Sequence, residues 1–181
     1  VYGGARVIWD GKDNNYTSLP SASEIKAGDD AAYLHITSNE TINGVQWKDF
    51  PESSVPLVAD MSSDILSRPL PVEKFGLIYA GAQKNIGPAG LTLVIVRDDL
   101  ISQDLPESVP SMFRYATHAE SGSMYNTPPC FGIYVVGEVL KWLKKNGGIE
   151  AMQVQNEKKA AMLYDCIDAT EYYRGHAEKN S

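Results

Sequence analysis

The chain has 181 residues, enough for one domain with a substantial core, and its 43% hydrophobic and 22% charged composition is ordinary for a globular protein. A formal net charge of −7 with no dense Lys/Arg patch argues against a nucleic-acid-binding surface. No apolar run approaches the length of a membrane span, and no signal-peptide pattern opens at Val1.

In chain order, strands alternate with helices. Arg6-Val7-Ile8-Trp9 reads as a first strand and 32–37 as a second. The stretch 10–30 between them is polar, with a short helix entry over 21–25. Leu57-Val58-Ala59-Asp60, Leu77-Ile78-Tyr79-Ala80 and Leu91-Thr92-Leu93-Val94-Ile95-Val96 read as three more strands. Short apolar runs broken by Gly and turn residues suit a mostly parallel, buried sheet. The last two runs lie too close together for a crossover helix, so they are expected to pair antiparallel. Residues 102–124 are polar and irregular. Pro128 and Pro129 then sit in the first turn of a helix, where a missing N–H costs little. Its apolar stripe is Phe131, Val135, Val139, Trp142 and Leu143, and Lys141, Lys144 and Lys145 near its end favour the dipole. Gly147-Gly148 ends it, and a further helix from Glu150 turns Met152, Ala160, Leu163 and Ile167 inward. Cys130 and Cys166 have no metal or redox spacing and read as reduced packing residues. His35, His118 and His176 are scattered and form no metal set.

Lys84 is the most informative residue. It lies in Gly81-Ala82-Gln83-Lys84-Asn85-Ile86-Gly87-Pro88-Ala89-Gly90, a run of small residues between two apolar strands. Burying an ammonium is costly or forces its pKa down, and a lysine so perturbed is a nucleophilic amine suited to an imine with a carbonyl. The plainer alternative is an exposed lysine at a strand end. Asp60 ends an earlier strand, on the carboxyl edge where open α/β sheets bind ligands. Its plainer alternative is a cap or turn before Ser62-Ser63. Pyridoxal phosphate (PLP) needs both groups: its aldehyde takes a lysine, and its ring nitrogen needs an anionic partner to stay protonated. Two nucleotide-binding readings fail. The Walker pattern needs Gly before the Lys and Ser or Thr after it, whereas Gln83 and Asn85 flank Lys84. Gly87-Pro88-Ala89-Gly90 precedes a strand, not a helix, so it is no dinucleotide fingerprint.

Several blocks resemble the phosphoserine aminotransferase family of class-V, PLP-dependent enzymes. They are Ser38-Asn39-Glu40-Thr41-Ile42-Asn43-Gly44-Val45, Val58-Ala59-Asp60-Met61-Ser62-Ser63, Ser67-Arg68-Pro69, Gly76 through Gly90, and Tyr125-Asn126-Thr127-Pro128-Pro129. They occur in the family's order and at compatible spacing, with looser matches over 1–30 and 102–120. The resemblance implies an α/β fold, the large domain of fold type I, of which residues 1–181 are expected to be the central part. Family members extend further at both ends. A small-residue turn for the cofactor phosphate, a stacking aromatic, an upstream arginine and C-terminal basic residues are therefore expected to lie outside this sequence.

The resemblance also implies roles. Lys84 would bond the cofactor and shuttle the proton between substrate Cα and cofactor, and Asp60 would hold the ring nitrogen protonated. Thr41 would hydrogen-bond near the ring hydroxyl or phosphate; a turn or capping hydroxyl is the alternative. Gln83 would bind the phosphate. Asn126 and Thr127, before a helix start, would reach the phosphate of the neighbouring subunit in a homodimer; simple capping is the alternative. Arg68 reads as a structural or interface ion-pair residue. The implied reaction transfers the amino group of L-glutamate to 3-phosphohydroxypyruvate, giving 2-oxoglutarate and O-phospho-L-serine. A second acceptor, 3-hydroxy-2-oxo-4-phosphooxybutanoate, would link it to pyridoxine synthesis. The implied location is the cytoplasm, or the plastid in a plant. Two alternatives stay open: another fold type I aminotransferase, and an inactive fragment that dimerises without binding cofactor.

Overall fold

The computed structural model describes residues 3–101 and 104–179. The strands are β1 (Leu34–Thr37), β2 (Asn39–Glu40), β3 (Val45–Gln46), β4 (Leu57–Asp60), β5 (Leu77–Gly81) and β6 (Thr92–Val96). The α-helices are α1 (Ala82–Asn85), α2 (Tyr115–Glu120), α3 (Cys130–Lys145) and α4 (Gly148–Asp168), and short 3-10 turns include Ala22–Glu24, at the helix entry expected over 21–25. One four-stranded sheet has the order β1-β4-β5-β6, and β2 with β3 forms a separate hairpin. β1 with β4 and β4 with β5 run parallel, whereas β5 and β6 run antiparallel as the short connection required.

Period-two alternation decides which face is buried. Leu34 and Ile36 of β1, Leu57 and Ala59 of β4, and Ile78 and Ala80 of β5 point to one side. There they join Trp47, Phe50, Met61, Ile65, Phe75 and Ile86 in one core cluster. Phe50 and Phe75 meet edge to face, with centroids 4.9 Å apart. Ile78 is only 2% exposed in this cluster. Ile78→Ala is expected to cost about 2–5 kcal/mol, read as a lower urea midpoint at unchanged m-value.

Beneath the hairpin lies a buried ion pair. Arg68 Nη2 donates to Asp64 Oδ2 at 3.2 Å and to the Trp47 carbonyl at 2.6 Å. Asp64 Oδ1 also accepts from Gln46 Nε2 at 2.7 Å and from Ser67 Oγ at 2.9 Å. Arg68 lies 5.6 Å from the Phe50 ring centroid, so the structural role expected for it holds. Burial, with the Arg68 charge nearby, pushes the Lys48 amine below its usual value.

Several expectations are corrected. Arg6 to Trp9 form no strand: the segment pairs with no sheet, Val7 is 77% exposed, and the Trp9 ring lies against Gly11 instead. The segment 102–124, expected to be irregular, carries α2, and the Arg114 guanidinium braces the preceding loop at the Pro106 and Val109 carbonyls. The part of that segment at 102–103 lies outside the described residues. Pro128 and Pro129 precede α3, which begins at Cys130, rather than occupying its first turn.

The predicted stripe of α3 is rotated. Phe131 is 76% exposed and Trp142 52%, while Gly132 and Leu143 are buried and Val136 packs on the core. The reason is close approach at Gly87: a Cβ there would come within 2.5 Å of Val136 Cγ2. Small residues let the helix dock by a narrow face, which its largest side chains do not occupy. α4 buries no residue, and Ala160 and Leu163, expected inward, are exposed. Asn156 Nδ2 ties it to the Ser67 carbonyl at 3.1 Å. Cys130 and Cys166 are free but exposed, so neither is a packing residue. β6 is an edge strand whose Leu93, Val94 and Ile95 are each 39–40% exposed, so the buried sheet expected from sequence is buried on this side only in part. No helix among the described residues is long and apolar enough to cross a membrane, and no metal-binding cluster occurs among them.

Candidate functional site

Three strand ends converge at the carboxyl edge of the sheet. Register puts Thr37 of β1 beside Asp60 of β4, and Asp60 beside Tyr79 of β5. Asp60 is half-buried because its neighbours Ala59 and Met61 face the core. Its Oδ1 accepts from the Ser62 N–H at 2.9 Å and from Ser62 Oγ at 2.6 Å. The turn reading of Asp60 is thus correct, and it does not compete with a ligand role, since the carboxylate stays at the sheet edge.

β5 runs straight into α1, a single helical turn whose third residue is Lys84. The lysine is helical and exposed at the end of a strand, as the plainer alternative has it, and not in a buried loop. The strand that follows it, β6, is itself largely exposed, so the run does not lie between two buried strands. The position still brings Lys84 to a second element: its Nζ donates to Thr41 Oγ1 at 2.9 Å. Thr41 stands in the β2–β3 turn, which closes when the Gly44 N–H donates to the Glu40 carbonyl at 3.0 Å and Gly44 takes φ +82°. The Glu40 carboxylate fixes the same turn by accepting the Asn43 N–H at 2.6 Å. Gln83 folds back over Gly81, where a Cβ would sit 3.0 Å from Gln83 Oε1.

Lys84, Thr41, Gln83 and Asp60 therefore share one edge of the molecule. Asn126 and Thr127 are both exposed, and Asn126 Nδ2 donates to the Thr127 carbonyl at 3.4 Å. No hydrogen bond joins either of them to Lys84, Thr41 or Asp60 among the described residues.

Sequence reasoning missed three groups here. Ser62 was read only as a turn partner, yet it contacts Asp60 and Gly81 together. His35 and Tyr79 meet across the open face of the sheet, with His35 Nε2 3.0 Å from the phenol oxygen and the rings stacked at 5.9 Å. Burial, then the Asp60 charge, pushes the Tyr79 phenol above its usual value. Alternation in β1 and β5 marks both side chains as facing away from the core; only register shows that they touch.

The Aminotransferase class-V family model matches residues 2–181. The chain belongs to the class-V aminotransferase family. Among class-V relatives, the phosphoserine aminotransferase of Lysinibacillus sphaericus is 56% identical over 94% of this chain and 47% of its own length. That of Niallia circulans is 54% identical over 100% of this chain and 50% of its own. The solved phosphoserine aminotransferase of Bacillus circulans subsp. alkalophilus superposes with a TM-score of 0.90 at 55% identity, over 94% of this chain and 47% of its own. The PLP-bound enzyme of Trichomonas vaginalis gives a TM-score of 0.84 at 38% identity, over 90% and 45%. The chain spans about half the length of the curated relatives it matches. Its mostly parallel α/β sheet is the class-V fold, as the sequence implied.

Proposed function

We propose that this class-V chain carries the lysine-bearing part of a PLP-dependent transaminase. The enzyme would pass the amino group of L-glutamate to 3-phosphohydroxypyruvate and form O-phospho-L-serine and 2-oxoglutarate. One observation carries the reading. An amine and a carboxylate stand at neighbouring strand ends, and neither is spent in an ion pair among the described residues. Lys84 has a neutral hydroxyl as partner, and Asp60 a serine and the Tyr79 phenol. That donor set fits PLP, which needs an available amine for its aldehyde and an uncompensated anion for its ring nitrogen. The names of the relatives, and the PLP bound by the Trichomonas enzyme, support the same choice.

When bound, PLP supplies an aldehyde that captures amines and a ring that accepts an electron pair. Lys84 would hold it covalently, then, released by substrate, would take the proton from the substrate Cα and return it at the acceptor carbon. Asp60 would accept from the ring N–H and keep that proton in place. Thr41 would donate to the ring hydroxyl or the phosphate, and Gln83 to the phosphate. Asn126 and Thr127, with the N–H groups at the start of α3, would serve the phosphate of a second subunit in a homodimer. Residues 1–181 would then be one part of a large cofactor-binding domain.

The exposure of Lys84 favours a second reading: a chain that folds and dimerises but does not turn over. Purified protein incubated with PLP, L-glutamate and 3-phosphohydroxypyruvate decides between them. Equal amounts of O-phospho-L-serine and 2-oxoglutarate are expected. Protein-bound PLP without either product selects the second reading. Neither product nor bound PLP defeats the cofactor reading.

A further inference from the structure

We propose that Ser62 is a positioning residue that locks the Asp60 carboxylate to the start of the turn carrying Lys84. The proposal rests on the PLP reading above. Ser62 Oγ has two partners, Asp60 Oδ1 at 2.6 Å and the Gly81 backbone nitrogen at 3.0 Å. A backbone N–H only donates and an ionised carboxylate only accepts, so the direction of both bonds is fixed. The Gly81 N–H donates to Ser62 Oγ, and the Ser62 hydroxyl donates to Asp60. A donor to a carboxylate gives a charge-assisted bond, shorter and stronger than a neutral one.

Topology explains why this residue is needed. β4 leaves the sheet at Asp60, while β5 continues two residues past its partner Tyr79, to Gly81. Gly81 pairs with Thr92 of β6 on one side and has no β4 partner on the other. Ser62 supplies the acceptor that the β4 backbone no longer offers. Gly81 is also the residue from which α1 departs, three positions before Lys84. One hydroxyl therefore ties the acid to the departure point of the amine. The Ser62 N–H, also bonded to Oδ1, holds the same oxygen at 2.9 Å. The nearby Ser63 is spent differently, between the Asn39 carbonyl and the Asn39 amide, both at 2.9 Å.

The test compares wild type, Ser62→Ala and Ser62→Thr by two readouts. The first is amide hydrogen exchange without cofactor. Ser62→Ala is expected to speed exchange at Gly81 by about tenfold, with Ile78 in the same strand unchanged and Ser62→Thr restored. The second is the equilibrium affinity for PLP and the pH profile of its protein-bound absorbance. Ser62→Ala is expected to bind about tenfold more weakly with a displaced profile, again restored by Thr. Unchanged Gly81 exchange in Ser62→Ala overturns the lock. Faster exchange with wild-type affinity and an unmoved profile also overturns it, leaving a strand-end cap. If the exchange effect is present but wild-type protein takes no PLP, the cofactor reading has failed and the role of Ser62 toward it falls too. That failure is distinct from a failure of the hydrogen bonds themselves.

Discussion

Lys84→Ala is expected to reduce covalent PLP attachment to background. After incubation with PLP, borohydride reduction and digestion, wild-type protein should carry a pyridoxyl group on the peptide containing Lys84, and the variant should carry none there. Only an unprotonated amine attacks an aldehyde, so a lysine held by a carboxylate is a poor competitor. Lys74, Lys141 and Lys179 are held in that way by Glu52, Glu138 and Asp168. The Glu52 and Asp168 carboxylates raise the ammonium pKa of Lys74 and Lys179 further. Lys84 instead donates to the neutral Thr41 hydroxyl, close to the edge where Asp60 stands. Lys48, which also donates to a neutral oxygen and whose amine burial pushes below its usual value, is the competing site; labelling there and at other lysines should stay unsaturated, whereas the Lys84 adduct should saturate at one per chain. Equal labelling of the variant and the wild type would remove Lys84 from the site.

Arg68→Ala is expected to cost about 3–5 kcal/mol in stability, against a typical total of about 5–15 kcal/mol. The Asp64 side chain is fully buried and that of Arg68 is 16% exposed, so solvent cannot replace the lost partner. Truncation would strand a carboxylate with only the Gln46 amide and the Ser67 hydroxyl as donors. The pair is not a free gain even when intact, since Arg68 Nε is buried without a partner. The double variant Asp64→Leu, Arg68→Met is therefore expected to recover most of the loss, because it removes both charges together. Urea unfolding of the three proteins reads this directly. A single variant within about 0.5 kcal/mol of wild type would show the pair to be incidental.

Much of this architecture was legible from residue patterns. The strands around Asp60 and before Lys84 are short apolar runs with clear ends, and the brief Gly81-to-Gly90 connection dictated an antiparallel partner. The hydrogen bond between Lys84 and Thr41 was not legible, because residues 43 positions apart meet only through the turn that Glu40 and Gly44 close. The error over Lys84 burial came from judging Leu91 to Val96 by composition. Leu93, Val94 and Ile95 of the edge strand β6 are exposed, whereas Leu34 and Ile36 of the opposite edge strand, β1, are buried, so neither apolar composition nor edge position alone decides burial. The helix faces failed for a related reason. Periodicity identifies an apolar stripe, but the Gly87 and Val136 approach decides which side of α3 docks. Arg6 to Trp9 have strand-like composition and no strand to pair with among the described residues, which no local propensity can reveal.

Among the described residues, β6 is an open edge of the sheet. From Thr92 to Val96 it contains no charge and no proline, the usual deterrents to strand addition. Its outward backbone groups amount to an unfinished ladder, ready for any extended segment that arrives in register. Self-association by strand addition that grows with concentration is the expected consequence, read as a concentration-dependent sedimentation coefficient.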